Sequence, residues 1–137
     1  MIKEVHISLS DKCNGNCIFC PKHLTKKVLT NMSFKLFKKI VDELSFFNGL
    51  VEVQLGENGD CFLNPDFIKM ARYVKKLGIK VNVFTNFQNF TPDLQKIVIE
   101  EHLIDELSCN IDSMSPDYYF VLKRLNLEKI LVNVKSF

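Results

Sequence analysis

The sequence has no apolar run near the ~20 residues that a membrane-spanning helix needs. Its first ten residues, Met1 to Ser10, alternate in character where a secretory leader would be continuously apolar. It lacks a charge excess of either sign. The formal net charge is +2, too small to mark a surface for nucleic acid or anionic membrane. Low-complexity tracts are missing too, and 137 residues suit one domain with a sizeable core. Lys22, Lys26 and Lys27 are a small basic cluster, read as a solvated loop, with docking of an acidic electron donor as the alternative. An even cysteine count is also absent. There are five cysteines, three of them too crowded for a disulfide framework, which implies a reducing, cytoplasmic setting.

What is present is Cys13-Asn14-Gly15-Asn16-Cys17-Ile18-Phe19-Cys20, a C-x3-C-x2-C spacing. The interval is too short for regular structure to keep three sulfurs on one side, so a loop must wrap around an inorganic centre. Gly15 and the two asparagines tolerate the left-handed backbone such a loop uses. Structural zinc and structural clusters normally take four protein ligands. Three thiolates leave one iron of a [4Fe-4S] cluster open for chemistry. A Cys3His zinc site with His23 is the rival reading, at tighter spacing than common zinc modules. A conventional four-cysteine cluster would need Cys61 or Cys109. Cys109 alternates with Leu107 and Ile111 and reads as buried core, and Cys61 reads as structural.

The rest of the chain alternates. Ile2 to Leu9 reads as a strand with Val5, Ile7 and Leu9 on one face and His6 turned away as a structural residue. A helix starts at the cap Ser33, carries Phe34, Phe37, Ile40, Val41, Leu44 and Phe47 at helical spacing, and stops at Asn48-Gly49. Phe46 is counted with these phenylalanines as core. Leu50 to Leu55 is the second strand. Asn64-Pro65-Asp66, Thr91-Pro92-Asp93 and Ser115-Pro116-Asp117 repeat one helix-start signature of cap, proline and acid. Further strands are read over Ile79 to Phe84, Glu106 to Ile111 and Lys129 to Val134. The expected order is β-α-β-α-β-α-β-α-β, an α/β fold with parallel strands. Such folds place chemistry at the C-terminal strand ends. There lie the cysteine loop, Gly56-Glu57, Thr85-Asn86, and Asn110 with Asp112, four polar sites on one edge.

At these residues the chain resembles the radical S-adenosylmethionine (SAM) superfamily. The cysteine motif carries the resemblance, with Phe19 before the last cysteine. Leu55-Gly56-Glu57 is similar to the family's Gly-Gly-Glu segment, Val83-Phe84-Thr85-Asn86 to its third-strand end, and Asn110-Ile111-Asp112-Ser113 to its Ser-x-Asp segment. Leu55, Asn58, Phe87 and Asn110 depart from the family's usual residues. The resemblance implies that Cys13, Cys17 and Cys20 hold a [4Fe-4S] cluster and that SAM chelates the open iron. It implies SAM-binding roles for Phe19, Gly56, Glu57, Thr85, Asn86, Asn110 and Asp112, with Glu57 accepting from the SAM amino group and Phe19 near the adenine. It also implies a reductant such as flavodoxin or ferredoxin, and reductive cleavage to a 5′-deoxyadenosyl radical that abstracts hydrogen from a peptide, protein or small metabolite. The implied fold is a partial (β/α) barrel. With five strands and four helices, residues 1–137 would be a core domain incomplete at its C-terminus. The alternatives are a non-catalytic metal-binding interaction module and an inactive truncated product.

Overall fold

The computed structural model describes residues 2–24, 28–47 and 49–137, the His23 side chain aside. Lys26, Lys27, the proposed ligand group of His23 and the stop residue Asn48 therefore lie outside the described residues.

Four strands, β1 (Glu4–Ile7), β2 (Glu52–Leu55), β3 (Lys80–Thr85) and β4 (Glu106–Cys109), form one sheet in sequential order. Every neighbouring pair is parallel. Their connections carry α1 (Phe34–Ser45), α2 (Phe67–Lys76) and α3 (Pro92–Glu100), and α4 (Pro116–Lys123) and α5 (Leu127–Ser136) follow β4. The register explains the alternation in the sequence. Val5, Val53 and Val81 lie in one row and Ile7, Leu55, Val83 and Leu107 in another. These rows join Phe37, Val41, Met70, Ala71, Val74 and Val98 in a single apolar core. The opposite face is polar: Glu4 lies beside Glu52 and Lys80, and His6 beside Gln54, Asn82 and Glu106. Because the strands are parallel, all four C-terminal ends open on one edge.

The expected fifth strand is a helix. Leu127, Ile130 and Asn133 are its buried residues, three apart, and Asn126 caps it by accepting from the Lys129 amide at 2.9 Å. Asn133 donates to the Phe87 carbonyl and its own carbonyl accepts from Gln95. The inward position that a polar residue fills hid the helical period from an apolar count. The described architecture is thus four strands and five helices. The three helix starts also differ. Thr91 caps α3 with its side chain, whereas Ser115 occupies the cap of α4 without a side-chain bond. The third signature is displaced: α2 begins at Phe67 with Asp66 at its cap, after a 3-10 turn over Cys61–Leu63. Asn64 instead accepts from the Asp66 amide and donates to the carbonyls of Leu9 and Met32, tying that turn to the end of β1.

Two core expectations fail. Phe46 and Phe47 are 84% and 53% exposed, because α1 ends at Ser45 and they lie past its buried stripe of Phe37 and Val41. Cys109 is half-buried rather than buried, at the end of β4, the last strand of the sheet. Cys61, by contrast, is fully buried.

Candidate functional site

The cysteine loop is held from two sides. On one side, the amides of Asn16 and Ile18 donate to the carbonyls of Lys123 and Leu122 in the last turn of α4, at 3.0 and 2.9 Å. These two amides are therefore committed to α4 and are not donors to the sulfurs. On the other side, the Asp60 amide donates to the Lys12 carbonyl at 2.8 Å. Gly59 makes that approach feasible, since a Cβ there would sit 2.2 Å from the Ser10 carbonyl oxygen. Asp60 itself is buried, accepting from the Phe62 amide and the Thr85 hydroxyl at 3.0 Å each. Burial holds its carboxyl above the ordinary carboxylate value.

A cavity of about 460 Å³ opens at the C-terminal edge of the sheet, a volume within the usual range for small-molecule sites. All four strand-end loops line it: Cys13, Cys17 and Cys20 from the first, Gly56 and Glu57 from the second, Thr85 and Asn86 from the third, and Asn110 from the fourth. Gly56 has φ +104 and lies where a Cβ would meet the Phe84 carbonyl oxygen at 2.5 Å, so the loop turns sharply into the cavity only with glycine there. Asn86 donates to Asn14 Oδ1 at 3.0 Å, with Cys13 Sγ 3.9 Å away. Glu57 Oε1 lies 2.5 Å from His6 Nδ1.

Phe19 and Asp112 do not line the cavity. Both meet it through Lys123, which the sequence reading missed. Lys123 ends α4, lines the cavity, and is 4% exposed. Its Nζ is 2.5 Å from Asp112 Oδ2 and 5.1 Å from the centre of the Phe19 ring. The Asn110 amide nitrogen, in the orientation its neighbours require, donates to both oxygens of Asp112 at 2.8 and 2.9 Å. A lysine in the last turn of a helix reads as a solvated complement to the helix dipole. The signal against that was its position four residues after Tyr119, on the same buried face.

The thiols differ by place. Burial pushes Cys17 up, opposed by the Lys123 charge. Burial raises Cys109 to about 11 and Tyr119 to about 12. Cys61 goes well above its ordinary value for the same reason, and neither Cys61 nor Cys109 lines the cavity. Among the described residues, no three His, Cys, Asp or Glu side chains already converge on one metal position. The fit to a cluster is therefore one of donor set and placement. Three cysteines line one wall of one cavity, on a loop anchored at both flanks, and cluster binding would complete their convergence.

Comparison with known proteins agrees with this arrangement. The model of the radical SAM superfamily matches residues 7–137. A tungsten-containing aldehyde ferredoxin oxidoreductase cofactor-modifying protein of Pyrococcus furiosus is 29% identical over 99 residues, covering 72% of this chain and 28% of that protein. An S-adenosylmethionine-dependent nucleotide dehydratase of Selenomonas ruminantium is 26% identical over 127 residues, covering 92% and 45%. The chain thus spans less than half the length of these curated relatives. Among solved structures, Streptococcus suis SuiB bound to its precursor peptide SuiA superposes with a TM-score of 0.80 at 20% identity, over 96% of this chain and 29% of SuiB. BtrN in complex with AdoMet and 2-DOIA superposes with a TM-score of 0.72 at 16% identity, over 96% and 55%. The four-stranded parallel sheet with its helices matches part of the radical SAM barrel. That family uses a [4Fe-4S] cluster and SAM, and no described helix is long and apolar enough to cross a membrane. By its family match over nearly its whole length, the chain belongs to the radical SAM superfamily.

Proposed function

We propose that this chain is the cofactor-binding part of a radical SAM enzyme, with Cys13, Cys17 and Cys20 as cluster ligands and SAM in the cavity beside them. The observation that carries the reading is the convergence of four strand-end loops, three cysteines among them, on that one cavity. When bound, the cluster and SAM would supply a 5′-deoxyadenosyl radical for hydrogen abstraction. The chain's own residues bind and orient. Glu57 accepts from the SAM amino group, and Lys123 offers a buried positive charge to the SAM carboxylate. Gly56, by lacking a side chain, lets the ligand approach the backbone. Asn110 and Asp112 hold Lys123 in place, and Phe19 covers its outer side. Thr85 and Asn86 brace the second and first loops.

The substrate is a peptide, protein or small metabolite. Relatives named for a precursor peptide, a nucleotide and a cofactor share this fold or sequence, which keeps that range open. The reading places the protein in the cytoplasm, supplied with electrons by a flavodoxin- or ferredoxin-like reductant. The test is anaerobic reconstitution followed by iron analysis and an assay for 5′-deoxyadenosine with a chemical reductant. We expect about four irons per chain and SAM cleavage, both lost in Cys17→Ala. Zinc in place of iron, or SAM cleavage retained by Cys17→Ala, would overturn the assignment. Glu57→Ala should weaken SAM binding and leave the iron content intact.

A further inference from the structure

His6 projects from β1 onto the polar face of the sheet, opposite Gln54 in the pairing register. Its Nδ1 lies 2.5 Å from Glu57 Oε1, and its Nε2 lies 2.8 Å from Glu4 Oε1. A neutral imidazole has one N–H and one lone pair, so it can donate to only one of the two carboxylates. With a carboxylate on each ring nitrogen, the geometry calls for an imidazolium that donates from both. The hydrogen bonds to Glu4 and then Glu57 raise its pKa above the ordinary 6.5. The other charged groups on this face of the sheet are Glu52, beside Glu4 on β2, Lys80, beside Glu52 on β3, and Glu106 on β4, at the far end of His6's own row. Gln54 and Asn82, which lie between His6 and Glu106, are neutral.

We propose that His6 is a positioning residue that fixes the Glu57 carboxylate for the SAM amino group through a Glu4–His6–Glu57 chain of charge-assisted hydrogen bonds. The proposal rests on Glu57 contacting SAM. Glu57 lies on the loop after β2 with its side chain 44% exposed, so packing alone does not hold it. The imidazolium takes Oε1 and leaves Oε2 for the ligand in the cavity that Glu57 lines. Glu4 anchors the ring from the other side and favours its charged form. Without His6, Glu57 would have to be immobilised afresh at each binding event. Freezing one such side chain corresponds to about a three- to ten-fold loss of affinity.

The test is equilibrium dialysis of radiolabelled SAM against the anaerobically reconstituted chain, from about pH 6 to about pH 9, the range that brackets a raised histidine. The variants are His6→Ala, His6→Gln, Glu57→Gln and the double variant His6→Ala/Glu57→Gln. We expect His6→Ala to weaken SAM binding about three- to ten-fold with unchanged iron content. His6→Gln, which keeps a donor but does not titrate, should recover part of that loss. Wild-type affinity should fall relative to His6→Gln as pH rises through the raised His6 value. That difference is the readout, because the SAM amino group itself titrates in this range. The double variant should bind no more weakly than Glu57→Gln alone. Undiminished binding by Glu57→Gln, or none by wild type, removes the Glu57 assignment and this proposal with it. If Glu57→Gln is impaired while His6→Ala matches wild type at every pH, the positioning role alone is overturned. It is also overturned if the His6→Ala loss recurs in full in the Glu57→Gln background.

Discussion

Removing either member of the Asp112–Lys123 pair breaks the same contact, yet the two losses should differ. Nζ and Oδ2 are 2.5 Å apart, and the side chains are 5% and 33% exposed. Asp112→Ala strands a nearly buried ammonium beside Cys17, and an uncompensated buried charge costs about 3–5 kcal/mol. Its contact with the Phe19 ring, 5.1 Å away, exists before and after the substitution and does not offset that loss. The expected loss therefore stays at about 3–5 kcal/mol. Lys123→Met strands a carboxylate instead, but Asp112 keeps solvent on a third of its surface and two bonds from the Asn110 amide. The methionine fills the volume of the lysine stem, so the loss should stay near about 1 kcal/mol. Urea unfolding of the reduced, metal-free protein measures both. At a slope of about 1–3 kcal/mol per molar urea, Asp112→Ala should move the midpoint down by about 1–5 M and Lys123→Met by less than half as much. Equal losses, or a larger one for Lys123→Met, would refute the claim that burial of the ammonium sets the energetics of this corner.

Three further outcomes follow from neighbouring groups. Gly59→Ala places a Cβ 2.2 Å from the Ser10 carbonyl oxygen and 2.5 Å from that of Lys12, backbone atoms that cannot rotate away. It should cost about 1–3 kcal/mol and lower iron uptake by parting the cysteine loop from the second loop; unchanged iron and midpoint would count against that coupling. Asp60 is a buried acid whose folded value lies above the unfolded one, so its contribution to stability is fullest at low pH and declines as pH rises through the carboxylate range. Asp60→Asn should therefore gain stability relative to wild type near neutral pH, with the gain vanishing in acid; a pH-independent difference would contradict the burial argument. Cys109, at about 11, presents about one thiolate in a thousand at pH 8. Mass spectrometry after brief alkylation of the native apo-protein should find Cys61 and Cys109 unmodified and Cys13 and Cys20 modified, with all five reacting in urea.

The strand ends were legible because a parallel sheet with one apolar face repeats a simple pattern. Val5, Ile7, Val53, Leu55, Val81 and Val83 alternate with polar residues, and each run ends in the residues that line the cavity. Helix starts with a side-chain cap were read correctly at Ser33 and Thr91. What could not be read was polar burial. Asn133 sits inside, so α5 lost one tooth of its apolar stripe and passed for a strand. Asn64 uses its amide to tie three segments together, so it looked like a simple cap. Lys123 is buried by a partner 11 positions upstream in the sequence, Asp112, which no local pattern reports. His6 was visible as a residue off the apolar face, but its partner Glu57 lies 51 residues away. Long-range pairing of charged groups is information held by the fold and not by any window of sequence.

The polar side chains among the candidate SAM contacts differ in what they have left to offer, since each already has a protein partner. Exchanging one such bond for another gains little, about 0.5–1.5 kcal/mol for neutral groups, so spare capacity decides. The Thr85 hydroxyl donates to Asp60 and accepts from the Phe87 amide. The Asn86 amide group donates to Asn14 and accepts from Gln88. Both are engaged at both ends, and a ligand would have to break loop-bracing bonds to use them. Glu57 is different: among the described residues it is engaged through Oε1 alone, and a carboxylate offers about four acceptor sites. Lys123 spends one of an ammonium's three donors on Asp112. Recognition of an amino acid end, with its ammonium and its carboxylate, needs one acceptor and one donor with capacity left. Glu57 and Lys123 line one cavity and are the pair we propose for that role, with Thr85 and Asn86 proposed to keep the wall in place.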